Sequence, residues 1–386
     1  MLQFPDGMST EDFLEGYWQK SSVFMPQALP ADLPELSADE LGWLATLDDV
    51  ESRIIFSLPD GDITDYRVEH GPFDEKALAA LPQENWTLLV QDVEKHLPDF
   101  RRYISGVSFI PDWRVDDLMV SFAAPGGSVG PHRDNYDVLL CQGTGQREWR
   151  IAAADADLRA VEYGELSLVE PFDDASPATA DNRDVLYLPP GIAHWGIATD
   201  SCMTYSIGMR APTSSEFTAG VSRIFATDID CDKSDELFYE DPDLSESEAE
   251  PGLISERAIR RALRCFKNPA NLGDADFAMA FGCVVSDVKA WLAPEPPGKS
   301  DVDVILKTGK SDVQVHGMAR LAYFSGADGN FVFANGFARS VTAAELKVVR
   351  RICAERTAQT DSSELFTWLA GKGAFDLPAN GQDNAT

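Results

Sequence analysis

Residues 130–151 read GPHRDNYDVLLCQGTGQREWRI, and their pattern predicts the fold of the first half of the chain. Two short runs, VLLC and REWRI, are separated by Gly-Thr-Gly, which predicts two strands joined by a turn. Similar runs occur before and after this stretch, namely TLLVQDV, DLMVSFAAPGG, DVLYLPPG and MTYSIGMRAP. Many short strands between Gly and Pro turns predict a β-sandwich or a β-barrel rather than alternating β-α units.

The pattern changes on either side of this β-rich region. Before it, residues 1–105 are mixed, with the helical stretches STEDFLEGYWQK and ADELGWLATL. Between residues 214 and 295, apolar residues recur every three or four positions, which predicts helices. An acidic stretch, DKSDELFYEDPDLSESEAEPG, interrupts these helices, and PEPPGKSD follows them as a linker.

The C-terminal residues predict a small α+β module. VHGMARLAYF and NFVFANG are two predicted strands joined by the turn Ala-Asp-Gly-Asn. Thr342-x-x-Glu345 is a capping box that starts a helix ending near Ala358, and Asp361-x-x-Glu364 predicts the start of another helix. Strand pairs with short helices are compatible with a winged-helix-like fold. We therefore predict an α+β chain with three domains, at residues 1–213, 214–295 and 296–386.

The net charge limits the partners of the chain. At 386 residues its formal net charge is −32. Because phosphate backbones are bound by basic faces, this charge argues against direct nucleic-acid binding. A large negative field attracts basic partners such as cationic proteins, although a generally acidic proteome would give the same composition.

The cysteines and the N-terminus indicate the compartment. The six cysteines are scattered and none forms a C-x-x-C pair, which argues against a zinc knuckle or a disulfide framework and suits a reducing cytoplasm. The N-terminal residues are acidic where a signal peptide needs a basic region, and no apolar run approaches the ~20 residues that cross a bilayer. We therefore expect a cytoplasmic protein without membrane contact.

Three residues predict a metal site. His132 and Asp134 form an H-x-D pair, which on an extended strand places both side chains on one face. The pair alone is a weak signal, but His194 follows the apolar strand and Pro-Pro-Gly turn of DVLYLPPGIAHWG. In a double-stranded β-helix, a late histidine of this kind lies beside an H-x-D pair. Two histidines and one carboxylate leave open positions on a metal ion, which suits Fe(II) and oxygen chemistry.

The other three histidines have no such neighbours. His70 precedes Gly-Pro, His96 precedes Leu-Pro, and His316 begins a predicted strand of the last module. We predict that all three are structural or surface residues.

Several motifs together resemble the JmjC/cupin 2-oxoglutarate oxygenases, and more narrowly the bacterial ribosomal oxygenases that hydroxylate an arginine in the sixteenth protein of the large ribosomal subunit. The motifs are GPHRDNYDVLLCQGTGQREWRI, DVLYLPPGIAHWG, MTYSIGMRAP, FLEGYWQK and WRVDDLMVSFAAPGGSVGPH. The resemblance covers essentially the whole chain. It implies a double-stranded β-helix catalytic domain, a helical dimerisation region and a winged-helix-like C-terminal domain. The chain departs from the family at Arg183, where a small residue is usual, and at residues 21–30, which are less basic.

The resemblance also implies roles for nine residues. His132, Asp134 and His194 would bind Fe(II), with no catalytic side chain beyond the metal centre. Arg147 would bind the distal carboxylate of 2-oxoglutarate, since a guanidinium pairs a carboxylate through two hydrogen bonds. Ser121 is predicted as a second donor to 2-oxoglutarate. The predicted substrate-binding residues are Asp117, Met119, Tyr136 and Ser206.

Strand alternation adds a prediction for the run DLMVSFA. Alternate residues from Asp117 to Ser121 share the face that would line the pocket, while Leu118, Val120 and Phe122 enter the core. An acid in an otherwise apolar strand is costly to bury unless it meets a cation, and a substrate arginine would supply one.

We therefore expect an Fe(II)- and 2-oxoglutarate-dependent dioxygenase that uses O2 to hydroxylate an arginine side chain of a basic large-subunit ribosomal protein, and that works as a homodimer. The negative charge would help to recruit that partner. Three alternatives stay open: a histidine hydroxylase of the same superfamily, a cupin that uses another metal for isomerase or hydrolase chemistry, and a non-enzymatic cupin and winged-helix regulator. Arg147 argues against the second alternative, and the metal triad with the acidic charge argues against the third.

Overall fold

The computed structural model describes residues 1–57, 66–172, 177–225, 236–266, 271–298, 302, 306, 312–327, 329–360 and 363–377. Cys231, the turn residue Asp328 and the predicted cap residue Asp361 lie outside these ranges, as do parts of the acidic stretch and of the linker. The chain divides into two structural units. Unit 1 consists of Met1–Phe109, Val115–Arg210 and Pro242–Glu246, and unit 2 of Ile110–Arg114, Ala211–Asp241 and Ser247–Thr386. The three predicted domain boundaries stay predictions.

Unit 1 contains the β-rich region and the mixed N-terminal part. Its helices are α1 (Thr10–Gly16), α2 (Ala38–Leu44), α3 (Glu75–Ala79), α4 (Val93–His96) and α5 (Arg101–Ser105). Its strands are β1 (Val23–Met25), β2 (Ser52–Phe56), β3 (Arg67–His70), β4 (Trp86–Val90), β5 (Val115–Ala123), β6 (Val138–Gln142), β7 (Arg147–Ile151), β8 (Ala160–Tyr163), β9 (Leu166–Val169), β10 (Ala178–Ala180), β11 (Val185–Leu188), β12 (His194–Ala198) and β13 (Cys202–Met209). Helices α1 and α2 both begin with a capping box, so their starts are encoded locally.

Two antiparallel sheets organise unit 1. The large sheet has eight strands in the order β1-β11-β6-β13-β5-β4-β2-β3, and the small sheet has the order β10-β7-β12. Strands β8 and β9 pair as a separate hairpin. Residues of β6 and β11 pack against residues of β7 and β10 in a buried cluster of Val138, Leu140, Trp149, Ile151, Ala180, Leu186, Leu188 and Ile192. Antiparallel pairing throughout both sheets agrees with the predicted β-sandwich or barrel and not with β-α units.

Unit 2 contains the predicted helices and the C-terminal α+β part. Its helices are α6 (Ser214–Phe225), α7 (Glu256–Cys265), α8 (Asp274–Val285), α9 (Ala343–Glu355) and α10 (Glu364–Ala370). Its strands are β14 (Leu253–Ile254), β15 (Asp312–Gln314), β16 (Leu321–Gly326), β17 (Gly329–Ala334), β18 (Phe337–Ser340) and β19 (Thr357–Gln359). Strands β16 and β17 pair over their whole length, which confirms the predicted pairing of these two strands. The predicted bounds were wrong, because β16 begins at Leu321, so His316 lies ahead of it, and Gly329 and Asn330 belong to β17 rather than to the turn.

The C-terminal helices start and end for local reasons. Thr342 and Glu345 form the predicted capping box of α9. The helix ends at Glu355 rather than near Ala358, because Arg356 adopts the left-handed conformation with φ 55°.

Helix α10 has a different cap from the predicted one. The side chain of Ser363 accepts a hydrogen bond from the Phe366 N–H, and Glu364 is the first helical residue. The prediction that Asp361 opens this helix was wrong by two residues, because a serine directly ahead of the first turn caps it more closely.

Two buried clusters form the core of unit 2. One joins helices α6 to α8 to strands β16 and β17 through phenylalanines that include Phe217, Phe277, Phe281 and Phe333. The other packs α9 and α10 against the C-terminal strands and includes Val349, Ile352 and Phe366. No helix in the described part of the chain is long and apolar enough to span a membrane.

Candidate metal centre and co-substrate pocket

The three predicted metal ligands lie together in unit 1. The Nε2 atoms of His132 and His194 lie 3.8 Å and 3.6 Å from Oδ2 of Asp134. Two atoms bound to one ion at about 2.0–2.2 Å can be at most about 4.4 Å apart, so both distances are short enough for a shared metal ion. Over the described ranges, no other group of three His, Cys, Asp or Glu side chains has its ligand atoms this close together.

Both histidines present the same nitrogen to this centre. Nδ1 of His132 donates to the carbonyl of Gly130 at 2.9 Å, and Nδ1 of His194 donates to the carbonyl of Ile192 at 3.0 Å. Because a carbonyl only accepts, Nδ1 carries the proton and Nε2 keeps its lone pair for a metal ion. Burial, followed by the nearby His132 ring, lowers the pKa of His194 to about 4. The imidazole is therefore neutral near pH 7, which is the form that binds metals.

The H-x-D pair lies in the loop ahead of β6 and not on a regular strand, so strand alternation was the wrong reason for grouping it. His132 N–H donates to His194 O at 3.0 Å and His194 N–H donates to His132 O at 2.9 Å, which holds the ring centroids 4.2 Å apart. Asp134 is held through its carbonyl, which accepts from the Gly191 N–H at 2.8 Å. Gly191, the glycine of the Pro-Pro-Gly turn, has φ +82°, a conformation that favours glycine. This turn therefore positions two of the three ligands.

A cavity of about 300 Å³ opens beside the three ligands and is lined by strands of both sheets of unit 1. All nine residues predicted for the site line it: Asp117, Met119, Ser121, His132, Asp134, Tyr136, Arg147, His194 and Ser206. The structure thus places the whole predicted set around one cavity. The role of each residue stays a prediction.

Arg147 has the surroundings of an anion-binding residue. It opens β7 between Ala180 and Ala198 of the neighbouring strands, and only 4% of it is exposed. Its Nε and Nη2 atoms are buried and have no hydrogen-bond partner among the described residues. The adjacent Glu148 does not pair with it, because that carboxylate accepts from Arg150 at 3.2 Å. The guanidinium lies 5.6 Å from the centroid of the Trp149 ring, which supplies no hydrogen-bond acceptor in the ring plane. Burying two N–H groups without acceptors is costly, and a dianionic co-substrate would supply the missing acceptors.

Residues 103–217 match the JmjC domain family. The chain is 34% identical over 339 residues to the ribosomal protein uL16 3-hydroxylase of Escherichia coli K12, which covers 87% of this chain and 86% of that protein. It belongs to the JmjC-type ribosomal oxygenases. A probable ribosomal oxygenase of Haemophilus influenzae is 35% identical over 249 residues, or 63% of this chain and 57% of that protein.

Solved structures extend the likeness of this oxygenase to its fold. The crystal structure of Escherichia coli YcfD matches with a TM-score of 0.72 and 28% identity, over 98% of this chain and 100% of that one. A structure of YcfD with cobalt and 2-oxoglutarate matches with a TM-score of 0.68 and 27% identity, over 98% of this chain and 100% of that one. The predicted JmjC/cupin fold is therefore confirmed, and so is the prediction of an enzyme. JmjC oxygenases use Fe(II), 2-oxoglutarate and O2.

The register of the large sheet sets the two ends of the oxygenase cavity. Residues paired across strands face the same side, and β5, β13 and β6 contribute the rows Asp117–Gly208–Val138, Met119–Ser206–Leu140 and Ser121–Thr204–Gln142. Four residues of extended strand separate the first row from the last, a distance of about 13 Å. A short turn after Gln142 leads to Arg147, so Arg147 and Ser121 lie towards one end of the cavity and Asp117 towards the other.

The Asp117 end combines a carboxylate with an aromatic ring. Asp117 is 7% exposed, and its Oδ2 accepts from the Asp92 N–H at 3.3 Å. The opposing residue, Gly208, has no side chain, and a Cβ there would lie 3.2 Å from Oδ1 of Asp117. Tyr136 also lines the cavity and is 41% exposed, so it lies at the mouth. This end can receive a cationic group from solvent.

The predicted faces of β5 are largely as expected. Ser121 is buried and lines the cavity, while Leu118 and Val120 on the other face are fully buried in the core. Phe122 is the exception, because it is only partly buried and packs against Trp86. Strand alternation therefore predicted which side chains reach the cavity, and erred where β5 lies nearer the protein surface.

Several cavity residues were missed by the sequence analysis. They come from β2, from β4 and the residue after it, and from the β8–β9 hairpin, and they include Arg53, Gln91 and Glu165. Arg53 had a usable signal, since it is the single charged residue in the run SRIIF of β2, the same kind of signal that identified Asp117. Its Nε atom is buried without a hydrogen-bond partner within the described ranges.

The three remaining histidines do not line the cavity. Nε2 of His70 lies 2.7 Å from Oε2 of Glu165 in an exposed pair, and Nδ1 of His316 accepts from the Met318 N–H at 3.1 Å. His96 ends α4 and is half-buried. These placements agree with their predicted structural or surface positions.

Proposed function

We propose that this oxygenase uses Fe(II), 2-oxoglutarate and O2 to hydroxylate an arginine side chain of a large-subunit ribosomal protein. The observation that carries the proposal is the cavity itself, with a buried guanidinium of Arg147 at one end and the carboxylate of Asp117 at the other. The first end suits a dicarboxylate co-substrate and the second suits a cationic side chain. The Escherichia coli relative is named for hydroxylation of uL16, which supports a ribosomal protein as substrate.

The metal centre would be held by His132, Asp134 and His194. Bound Fe(II), together with 2-oxoglutarate and O2, supplies the oxidising chemistry that converts a C–H bond into C–OH, with succinate and CO2 as the other products. The two Nδ1–H bonds to backbone carbonyls keep both imidazoles in the tautomer that presents Nε2. The YcfD structures with cobalt and with 2-oxoglutarate or succinic acid support this assignment.

Arg147 and Ser121 would orient the co-substrate. The planar guanidinium can donate two parallel hydrogen bonds to the distal carboxylate of 2-oxoglutarate, and its charge persists when buried. The hydroxyl of Ser121, which lines the same cavity and is 3% exposed, would donate a further hydrogen bond. Because both groups are held on strands, the co-substrate would be fixed before the substrate arrives.

The substrate arginine would enter at the Asp117 end. Asp117 would pair with the guanidinium, and the ring of Tyr136 at the mouth would cover it and limit the entry of water. Met119 and Ser206 face each other across β5 and β13 and would contact the aliphatic part of the side chain. The net charge of −32 would draw a basic ribosomal protein towards the enzyme.

We further propose that the chain divides functionally at residues 1–213, 214–295 and 296–386 and works as a homodimer through the middle region. Helices α6 to α8 in this region support the proposal. Light scattering of the purified full-length protein tests the homodimer. A monomer at micromolar concentration would refute the homodimer.

The deciding experiment incubates the purified enzyme with Fe(II), 2-oxoglutarate and recombinant uL16. Tandem mass spectrometry is then used to find a fragment heavier by one oxygen atom. We expect the modification on an arginine, and its loss in His132→Ala. A modification on a histidine would favour the alternative histidine hydroxylase, and an unmodified protein together with normal 2-oxoglutarate turnover would refute the substrate assignment.

A further inference from the structure

The N-terminal motif Tyr-Trp-Gln-Lys has no part in the proposed chemistry, yet it contacts the loop that carries the metal ligands. Nε2 of Gln19 donates to Oδ2 of Asp137 at 2.9 Å. The hydroxyl of Tyr187, on β11, donates to Oδ1 of the same carboxylate at 2.5 Å. The Gln19 N–H in turn donates to the Tyr187 hydroxyl at 2.8 Å. These three residues form a closed triangle, here called the loop clamp.

Two of the three residues of the loop clamp are fully buried, and Gln19 is partly buried. Asp137 and Tyr187 are both 0% exposed. Two aromatic side chains of the N-terminal segment pack against the Tyr187 ring. Trp18 stacks on it with the ring centroids 6.0 Å apart, and Phe13 contacts it edge-on with the centroids 5.0 Å apart. Gln19 adopts the left-handed conformation, φ 54°, which turns both its side chain and its backbone N–H towards the triangle. Such a conformation is uncommon for a residue with a side chain and persists where the surroundings hold it.

Asp137 is the point at which the ligand loop joins the large sheet. Its carbonyl accepts from the Met209 N–H of β13 at 2.9 Å, and β6 begins with the next residue. From residue 133 to residue 136 the loop side chains are partly or fully exposed, so Asp137 is the first buried side chain after the metal-ligand pair. The position of Asp134, three residues earlier, therefore depends on the anchoring of Asp137 as well as on the Gly191 contact.

We infer that Gln19, Asp137 and Tyr187 are positioning residues, which hold the loop bearing Asp134 and Tyr136 in register with the cavity. None of the three lines the cavity, so they act through the loop. The inference rests on the proposed metal site at His132, Asp134 and His194. A carboxylate with both oxygens engaged in hydrogen bonds is held in place. Groups that bond the ligands directly change metal affinity about 10- to 100-fold when removed, and the loop clamp acts one step further from the metal, so we expect an effect at the lower end of this range.

The test compares two tyrosine-to-phenylalanine variants, each of which removes one buried hydroxyl group. Tyr187→Phe removes the loop clamp hydroxyl. Tyr205→Phe is the matched control, since Tyr205 is 1% exposed in the same unit, its hydroxyl accepts from the Leu36 N–H at 2.8 Å, and it does not line the cavity. Co(II) affinity of the metal-free protein is measured by the visible absorption of the bound ion, which needs no protein substrate.

We expect Tyr187→Phe to weaken Co(II) binding about 10-fold and Tyr205→Phe to change it less than twofold, at similar losses of thermal stability. Gln19→Glu, which keeps the side-chain length but turns the donor into an acceptor facing Asp137, should weaken it at least as much. In the loaded enzyme, both loop clamp variants should also form more succinate per hydroxylated product than Tyr205→Phe.

Two results separate the possible failures. Equal Co(II) affinity in Tyr187→Phe and Tyr205→Phe, while His132→Ala loses binding, would overturn the loop clamp and leave the proposed metal site intact. Undiminished Co(II) binding in His132→Ala would refute the metal site itself. If Tyr187→Phe does not fold, the Co(II) affinity of Gln19→Glu is compared with that of Tyr205→Phe instead, because Gln19 is the partly exposed member of the loop clamp.

Discussion

Replacing Arg147 by methionine should strongly weaken the binding of 2-oxoglutarate without destabilising the protein. The guanidinium is 4% exposed, and its Nε and Nη2 atoms lack partners among the described residues. Methionine has a similar length and no charge. Two buried N–H groups without acceptors cost free energy, and a methionine removes both while it can keep the apolar contact with the Trp149 ring. The metal-free variant should therefore be at least as stable as the parent.

The loss of co-substrate binding can be scaled from the hydrogen bonds. A bond to a charged group contributes about 1.5–3 kcal/mol, so two bonds to the distal carboxylate are worth about 3 kcal/mol at the lower limit. At about 1.4 kcal/mol per tenfold, the KM for 2-oxoglutarate should rise at least about 100-fold. The opposite signs of the two effects distinguish a ligand-binding arginine from a structural one.

Urea unfolding of the metal-free protein and succinate formation against 2-oxoglutarate concentration measure the two effects. Arg150→Met is the matched control on the same strand, because Arg150 is partly exposed, pairs with Glu148, and does not line the cavity. It should leave the KM for 2-oxoglutarate nearly unchanged. The reasoning would be refuted if Arg147→Met lowered the free energy of unfolding by more than about 1 kcal/mol. It would also be refuted if the KM of this variant for 2-oxoglutarate stayed within threefold of the parent value.

Three further predictions concern substrate entry, charge and pH. Gly208→Ala would place a Cβ 3.2 Å from Oδ1 of Asp117 and should raise the KM for the protein substrate but not for 2-oxoglutarate, whereas Gly16→Ala, where a Cβ meets nothing within 4 Å, should change neither KM. Raising the ionic strength to about 1 M, where the Debye length is about 3 Å, should lower kcat/KM for the protein substrate, and a salt-independent value would argue against charge steering. Burial lowers the pKa of His194 from 6.5 to about 4. Between pH 6.5 and about pH 4 the unfolded chain therefore binds a proton that the folded metal-free protein does not, so the free energy of unfolding falls as the pH falls. In His194→Gln, urea unfolding across this range should show a weaker dependence on pH, and an unchanged slope would contradict the assignment.

Much of the site could be predicted from local patterns. The Pro-Pro-Gly turn marked His194, and a single acid in an apolar strand marked Asp117, because burial without a partner is costly for any charged group. Alternation on β5 identified the side chains that face the cavity. The same signal in β2 would have identified Arg53, which was missed because nothing in the sequence shows that β2 and β5 belong to one sheet.

Other errors arose where a neighbour in space overrides a local rule. Residues 132–134 were predicted to lie on a strand, but the bridge from His132 to His194 and the bond from Gly191 to Asp134 fix them as a loop. The start of α10 was placed at Asp361, whereas Ser363, directly ahead of the first turn, provides the cap. Such contacts depend on which segments the fold brings together, and spacing along the chain does not contain that information.

The sequence by itself determined the β-rich character of the first half, the identity of the candidate ligands and the acidic charge, because strand alternation, turn residues and ionisable groups act over a few positions. Only the tertiary structure decided that two nitrogens of Arg147 are buried without a hydrogen-bond partner among the described residues, that Arg53 borders the same cavity, and that Gln19 reaches Asp137 across 118 residues of chain. The physical reason is that desolvation and hydrogen-bond pairing belong to the neighbours in space, and these are set by the register of the sheets and the packing between them.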